Sequence, residues 1–297
     1  KEELAMYLDQ PQHHVHEILN AALWPDHPLG RSLAGTEKTV ENIKRTHLLN
    51  YRRSKYVASS ILIAAAGRLQ HNEVVRAVSR FASKFFPGEP PQFLPADSDQ
   101  GCPRLKLFTK EIEQTQLAIG LRTCSRHDER RYSLRLLNTI LGENMSSRLF
   151  QVIREDRGLA YSIQSSLGFF DDAGVLTISA GLEAEKLPQV LKLISRELRL
   201  LTKTLPSAAE LRRARDYVIG QIELSLESTT NQMMWIGEQY LSYGKITPPS
   251  ELEQRLNEVK ASQIRDVAQD FFRTERLNVA LVGPLKSEKG LLDWIRL

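Results

Sequence analysis

The chain has 297 residues, of which 41% are hydrophobic and 26% are charged, and its formal net charge is +4. This length predicts two domains, each with its own core, and no apolar run approaches the ~18 residues of a membrane-spanning helix. The charge is spread evenly, with 12 basic and 11 acidic groups in residues 1–99 and 28 and 25 in residues 100–297, so no basic patch of the kind that binds nucleic acid is indicated.

The first thirty residues predict a polar helix, a His-rich helix and a turn. His13, His14, His16 and Glu17 fall close together, and His13 and Glu17 are neighbours one helical turn apart. Such a pair can hold a metal ion, but the order of residues matches no familiar ligand motif, and a solvated helix surface is the favoured interpretation. His27 begins the turn, and we assign it to the geometry of that turn.

A helix, a strand and a second helix are predicted next. An amphipathic helix begins at Thr46, the apolar run Ile61–Ala66 fits a buried strand that ends at Gly67, and a further helix covers 72–86. The stretch 86–103 then holds five prolines and two glycines, which predicts an extended linker.

The remaining chain predicts strands and helices in alternating blocks. The predicted strands are 105–108, 116–121, 159–167, 174–182 and 278–283, and the predicted helical segments are 128–141, 150–153, 186–204, 207 onward, 227–243, 250–259, 262–272 and 287–297. Ser207 and Glu210 form a capping-box pattern at the start of one helix. Because the elements alternate in blocks rather than as strict βαβ units, we predict an α+β fold.

The most informative feature is an internal repeat. The stretches 46–69 and 262–285 are both typical of an amphipathic helix, an apolar strand and a glycine that ends the strand. The first residues of the two stretches lie 216 positions apart, and so do Gly67 and Gly283. Self-similarity at one fixed offset indicates two copies of one structural unit.

The repeat predicts how the chain is divided. Two full copies would need about 432 residues, so about 135 residues of the first copy are missing from this chain. We therefore predict that residues 1–87 are the C-terminal part of a first domain, 88–103 a linker and 104–297 a second domain. The predicted fold class is α+β, with two tandem homologous α/β-sandwich domains of antiparallel or mixed sheets packed with helices. The first domain is truncated at its N-terminus.

Several motifs resemble those of one peptidase family. They are Glu2–Pro11, Trp24–Gly30, Gly35–Glu37, Met145–Phe150 and Arg154–Tyr161. In this order they resemble segments of the pitrilysin/insulinase-type zinc metallopeptidases, above all the processing-peptidase branch, and the likeness covers essentially the whole chain. One departure is Glu143-Asn144, where many relatives are rich in glycine.

The resemblance implies one zinc ligand in this chain. In the family the metal is held by the two His of an inverted H-x-x-E-H motif and by a downstream Glu, whose position Glu3 matches. On residue type alone, Glu3 would be a solvent-facing acid in the first turn of a helix. The H-x-x-E-H motif occurs nowhere in the sequence. Zn²⁺ is therefore expected in the intact parent protein and not in this chain by itself.

The resemblance also assigns roles to Arg154 and Tyr161, which lie seven positions apart around Gly158. In the family such a pair reaches across to the substrate. An arginine fork and a phenol can each donate a hydrogen bond to a peptide carbonyl and to the oxyanion formed from it. The alternative is a surface arginine and a core tyrosine without a catalytic role.

The leading hypothesis for the parent protein is a zinc-dependent metalloendopeptidase that cleaves peptides or presequences inside a clamshell of two domains. The alternative is a catalytically inactive, peptidase-like scaffold or partner subunit. A third possibility, an unrelated small-molecule enzyme, is supported by no motif in the sequence. The expected partners are a peptide or protein substrate and a second subunit, identical or related, with no nucleic acid and no membrane span. Cys102 and Cys124 form no C-x-x-C motif, and with no recognisable leader they favour a cytoplasmic location, with the mitochondrial matrix and the periplasm left open.

Overall fold

The computed structural model describes residues 1–82, 84–97 and 99–297. Its contacts divide the chain into two compact units: the first comprises 1–34, 95–218 and 253–297, and the second comprises 35–94 and 219–252. Ser83 and Ser98, which fall in the predicted helix 72–86 and the predicted linker 88–103, lie outside the described residues. None of the described helices is both long enough and apolar enough to cross a membrane.

A mixed five-stranded sheet forms the centre of the first unit. Its strands are β1 (Arg104–Thr109), β2 (Thr115–Thr123), β3 (Ser162–Phe169), β4 (Gly174–Leu182) and β5 (Leu277–Gly283). The strand order is β1-β5-β2-β4-β3. β1 and β5 run parallel, whereas β2 pairs antiparallel with β5 and β4, and β3 pairs antiparallel with β4. An α+β fold with a mixed sheet packed with helices is thereby confirmed.

Helices account for most of the remaining described residues. They are α1 (Glu2–Leu8), α2 (Pro11–Leu23), α3 (Glu37–Asn42), α4 (Arg45–Lys55), α5 (His71–Ala82), α6 (Arg130–Asn138), α7 (Leu187–Lys203), α8 (Ala208–Leu226), α9 (Thr229–Tyr243), α10 (Pro249–Glu258) and α11 (Ala261–Phe271). The boundary between the two units falls within α8 and again within α10.

Helix α2 packs on one face of the sheet. The buried side chains of this layer are Val15, Leu19, Leu23, Trp24, Ala118, Val175, Ala280 and Val282. Side chains alternate between the faces of a strand, so Leu117, Ile119 and Leu121 of β2 point to the opposite face. On that side α11 contacts β2, α6 and α7. The core of the first unit is therefore a sheet covered by helices on both faces.

Two arginines hold the C-terminal end of α2 against the sheet. Arg104 Nη1 donates a hydrogen bond to the carbonyl of Ala22 at 2.8 Å. Arg122 Nη2 donates to the carbonyl of Leu23, and its Nη1 donates to the carbonyl of Asp97 at 2.8 Å. The last carbonyls of a helix lack partners within the helix and carry partial negative charge, so cationic donors suit them. Burial lowers the pKa of Arg122, and the neighbouring charge of Arg104 lowers it further.

The second unit contains a segment, residues 61–66, that is neither a helix nor a strand. Its backbone is extended at Ile61, and its side chains alternate between more and less exposed. The strand predicted at Ile61–Ala66 is wrong for this structure, because no described strand lies beside the segment to complete a ladder. Leu62 and Val74 instead help to line an apolar cleft of about 490 Å³ together with Ile236 and Tyr240.

Other predicted elements differ at their ends. The predicted helix 72–86 begins at His71, and its described part ends at Ala82. The predicted helix 287–297 is a short 3-10 helix, Leu291–Trp294, because Gly290 before it is left-handed, with φ +79°. The strand predicted from Leu159 begins at Ser162, since the backbone of Leu159 still belongs to the preceding turn.

The repeat found in the sequence has a counterpart in the elements. Helices α4 and α11 begin 216 residues apart and end 216 residues apart. The 3-10 helices Ala58–Ser60 and Thr274–Arg276 keep the same offset. The segment that starts at Ile61 therefore occupies the position of β5 in the repeat.

The two compact units do not follow the boundaries predicted from the sequence. Residues 1–34 belong to the same unit as the sheet, because α2 packs on β5 and β2. Residues 35–94 belong to the other unit. The assignment of 1–87 and 104–297 to two homologous domains, joined by a linker at 88–103, stays a prediction.

Candidate functional site

Arg154 lies in a π-helical segment, Phe150–Glu155. Its side chain is exposed, and its guanidinium carbon lies 5.0 Å from the centroid of the Phe150 ring. This distance is that of a cation–π contact, which orients the guanidinium without using its N–H donors. Those donors make no hydrogen bond or ion pair with the residues that the structure describes, so they are available to a ligand.

The turn that follows is closed by Gly158. Its φ of +57° lies in the left-handed region that favours glycine. The N–H of Gly158 donates to the carbonyl of Arg154 at 3.0 Å, and the N–H of Leu159 donates to the carbonyl of Ile153 at 2.9 Å. These bonds end the π-helical segment and direct the chain into β3.

Tyr161 lies directly before β3, one of the two edge strands of the described sheet. Its N–H donates to the carbonyl of Gly181 in β4 at 2.8 Å, and its side chain is 54% exposed. The phenol donates a hydrogen bond to Glu183 Oε1 at 3.0 Å. Lys186 Nζ donates to the same oxygen at 3.0 Å. The alternative of a core tyrosine therefore does not hold.

The charges around the phenol keep it protonated. The hydrogen bond to the Glu183 carboxylate raises the pKa of Tyr161 above its ordinary value. The hydrogen bonds from Lys186 and then from Tyr161 lower the pKa of Glu183. A phenol is already protonated at neutral pH, and the raised pKa favours the protonated form further, so Tyr161 can donate to a carbonyl oxygen.

The structure places Glu3 in the exposed first turn of α1. Within residues 1–82, 84–97 and 99–297, no three His, Cys, Asp or Glu side chains lie close enough together to hold a metal ion. Since a catalytic zinc takes three protein ligands, these residues do not form a zinc site by themselves. The role of Glu3 as a zinc ligand stays a prediction.

The histidines of α2 serve packing more than solvation. His13 is exposed, as predicted, but His14 is buried and meets the ring of Phe108 edge-on at 4.6 Å. His16 Nε2 lies 3.3 Å from Ser179 Oγ. Burial lowers the pKa of both His14 and His16. The expectation of a wholly solvated His surface is wrong, because this side of α2 rests on the sheet.

His27 performs the role predicted for it. Its Nδ1 accepts a hydrogen bond from the backbone N–H of Leu29 at 3.2 Å, at the start of the 3-10 helix Pro28–Gly30. A side chain that accepts from a backbone N–H two residues on stabilises a turn. The function of His27 in this structure is therefore that of a turn residue.

The departure at Glu143-Asn144 also has a structural role. Glu143 Oε1 pairs with Arg135 Nη1 at 2.7 Å, and its Oε2 accepts from Thr139 Oγ1 at 2.6 Å. Asn144 Oδ1 accepts from the backbone N–H of Ser146 at 2.9 Å. The two residues thus fix the loop that follows the π-helix Thr139–Glu143.

Sequence reasoning missed Glu183 and Lys186. Glu183 is 22 residues from Tyr161 and directly follows β4. The pairing of β3 with β4, in which Ser162 lies opposite Gly181, brings the two side chains together. A spacing in the sequence does not show this register, so no local signal links Glu183 to Tyr161.

Comparison with known proteins identifies the family. Residues 42–218 match the family model described as the peptidase M16 inactive domain. The chain is 35% identical over 300 residues to an uncharacterized zinc protease of Mycobacterium leprae, covering 100% of this chain and 67% of that protein. It is 33% identical over 288 residues to an uncharacterized zinc protease of Bacillus subtilis, covering 95% of this chain and 68% of that protein.

Solved structures share the fold. The peptidase M16 inactive domain from Pseudomonas fluorescens has a TM-score of 0.83 at 21% identity, covering 96% of this chain and 68% of that chain. A chain of complex III2 from Candida albicans has a TM-score of 0.87 at 17% identity, covering 100% of this chain and 73% of that chain.

The sequence matches define one class of protein, the peptidase M16 family, and the solved structures share this chain's fold. This chain belongs to the peptidase M16 family, and its residues 42–218 correspond to the family's inactive domain. The family resemblance drawn from the sequence motifs is confirmed.

Proposed function

We propose that this chain is part of a zinc-dependent metalloendopeptidase of the processing-peptidase kind, in which Arg154 and Tyr161 contact the carbonyl of a bound peptide. Membership of the M16 family supports the reaction class, as do relatives named zinc proteases. The observation that carries the residue assignment is the pair of exposed donors on either side of the turn at Gly158.

The two side chains differ in what they donate. Arg154 offers a planar fork of N–H groups, held by its contact with Phe150. Tyr161 offers one O–H, held at the sheet edge by the backbone bond to Gly181. Together they orient a peptide carbonyl and stabilise negative charge that develops on its oxygen. Zinc chemistry is not assigned to the described residues, because they do not form a metal site.

We also propose that the parent protein consists of two tandem homologous domains, with residues 1–87 ending the first and 104–297 forming the second. The common offset of 216 residues between α4 and α11 supports this duplication. The strand-like alternation of exposure along residues 61–66, which pair with none of the described strands, supports a sheet in the first domain to which this chain contributes one strand. A peptide would then lie between the domains as an added strand.

A second candidate is a peptidase-like scaffold or partner subunit without activity. The description of the matching family model as an inactive domain favours it. In this case the chain would bind a peptide or a related subunit through the same surface. Zinc content and cleavage distinguish the two candidates.

The test uses the full-length product of the gene. Zinc per chain and cleavage of an internally quenched peptide library are measured before and after chelation and after zinc is added back. The proposal predicts about one zinc per chain and cleavage that is lost on chelation and restored by zinc. Zinc-saturated protein that cleaves no peptide would establish the scaffold instead.

The assignment of Glu3 as a zinc ligand is tested with a pair of variants. Glu3→Gln is expected to reduce zinc per chain, because a neutral amide is a weaker ligand than a carboxylate. Glu2→Gln changes the same charge on the neighbouring exposed residue and is expected to leave the zinc content unchanged. Equal zinc content in both variants would show that Glu3 is not a ligand.

A further inference from the structure

Glu183 connects Tyr161 to Lys186 through a single carboxylate oxygen. Oε1 accepts the phenol O–H at 3.0 Å and the Lys186 ammonium at 3.0 Å. Each of the three residues lies in or directly beside a regular element. Tyr161 is bonded to β4, Glu183 directly follows β4, and Lys186 ends the 3-10 helix Ala184–Lys186 that leads into α7. The network is therefore set by the fold rather than by a mobile loop.

From this geometry we propose that Glu183 is a positioning residue for Tyr161, which holds the phenol as an oriented donor until a peptide carbonyl replaces the carboxylate as acceptor. This inference rests on the proposed function of Tyr161. A phenol has one O–H, so its direction in the free protein decides whether a carbonyl that arrives meets a proton or a lone pair. Glu183 sets that direction.

On balance, the charges that face the phenol favour its protonated form. Glu183 is the main source of negative charge near Tyr161, Glu113 ahead of β2 adds to it, and the Lys186 ammonium opposes it. A carboxylate beside a phenol disfavours the phenolate. A glutamate is ionised at neutral pH, and the hydrogen bond from Lys186 lowers the pKa of Glu183 further, so Glu183 acts as an acceptor and not as a donor.

The variants form a double-mutant cycle in the full-length protein. They are Glu183→Gln, Tyr161→Phe and the two combined. Glu185→Gln is the matched control, since Glu185 lies two residues from Glu183 in the 3-10 helix Ala184–Lys186, is exposed, and makes no hydrogen bond or ion pair with the described residues. The first readout is the pH titration of Tyr161 by NMR of ¹³Cζ-labelled tyrosine, with the signal assigned by its loss in Tyr161→Phe.

The second readout is kcat/KM for cleavage of a quenched peptide. We expect Glu183→Gln to move the titration of Tyr161 to lower pH by more than Glu185→Gln does. We expect it to reduce kcat/KM when Tyr161 is present and to change little in the Tyr161→Phe background, because a positioning residue acts through the residue that it positions.

Two results would overturn the positioning role. One is a Tyr161 titration that is the same in Glu183→Gln as in the wild type. The other is a loss of cleavage on Glu183→Gln that is equal in both backgrounds. A shifted titration with full cleavage by Tyr161→Phe would overturn the proposed function of Tyr161 and, with it, the role of Glu183.

Discussion

Leu23 of α2 lies directly over Gly120 of β2, so close that a Cβ at position 120 would come within 2.9 Å of Leu23 Cδ1. The same Cβ would lie 3.2 Å from Leu19 Cδ1. The missing side chain therefore lets α2 approach the sheet at this point. Because both leucines are buried, they have little room to move aside.

Gly120→Ala is expected to destabilise the chain by about 1–3 kcal/mol, the usual cost of overpacking a core. The free energy of unfolding from urea titration measures this change. Gly101→Ala is the control, since a Cβ at position 101 meets nothing within 4 Å. If both variants unfold at the same urea concentration, α2 does not pack on β2 as described.

Arg122 is the second determinant of the position of α2. It is 8% exposed and donates to the carbonyls of Leu23 and Asp97. Arg122→Met is expected to cost about 2–4 kcal/mol, because the buried carbonyl of Leu23 loses a charged donor. Arg199→Met, on the exposed side of α7, is expected to change little. Equal stability of the two variants would contradict this role of Arg122.

We expect Glu197 to make the stability of the folded chain depend on pH. It is buried in α7, and burial raises its pKa above the ordinary 4.5, although Arg148 and Arg196 oppose the shift. As pH rises through the interval between the ordinary and the raised pKa, the folded state holds its proton more tightly than the unfolded state does, and stability falls.

Glu197→Gln removes the titrating carboxyl group and, with it, this dependence of stability on pH. The variant is expected to be more stable than the wild type at neutral pH, with a gain that disappears below the ordinary Glu pKa of 4.5. Melting temperatures measured across this pH range test the prediction. Glu155→Gln, at an exposed position, is the control. A loss of stability in Glu197→Gln at neutral pH would show that the attraction of Arg148 and Arg196 outweighs the cost of burying Glu197.

The two cysteines are expected to differ in reactivity. Cys102 is exposed, whereas Cys124 is buried. Burial, with a contribution from the nearby Asp128, raises the pKa of Cys124 to about 11. A thiol reagent at neutral pH should therefore modify one cysteine in the folded chain and both after denaturation. Rapid modification of Cys124 in the folded chain would contradict its burial.

Elements whose signals are local could be predicted from the sequence. The capping box at Ser207 and Glu210 is present, with the Glu210 N–H donating to Ser207 Oγ at 3.2 Å and the Ser207 N–H donating to Glu210 Oε2 at 2.9 Å. The strands predicted at 116–121 and 174–182 lie within β2 and β4. In each case the pattern of neighbouring residues contains the information.

Features that depend on distant partners could not be predicted. Ile61–Ala66 has the composition of a strand, but a strand also needs a neighbour, and none of the described strands provides one. The burial of His14 depends on Phe108, which belongs to β1. At the candidate site, Arg154 and Tyr161 could be predicted from a sequence motif. The contact of Glu183 with Tyr161 could not, because it depends on the register of β3 against β4.

The central claim is that Arg154 donates hydrogen bonds to the substrate carbonyl in the intact peptidase. The most direct measurement compares kcat/KM and zinc content of full-length Arg154→Ala with those of Arg157→Ala, an exposed arginine three positions away. We expect Arg154→Ala to reduce kcat/KM by about 100-fold, as loss of an oxyanion donor does, with zinc per chain unchanged and Arg157→Ala close to the wild type. Cleavage by Arg154→Ala at the wild-type rate would contradict the claim.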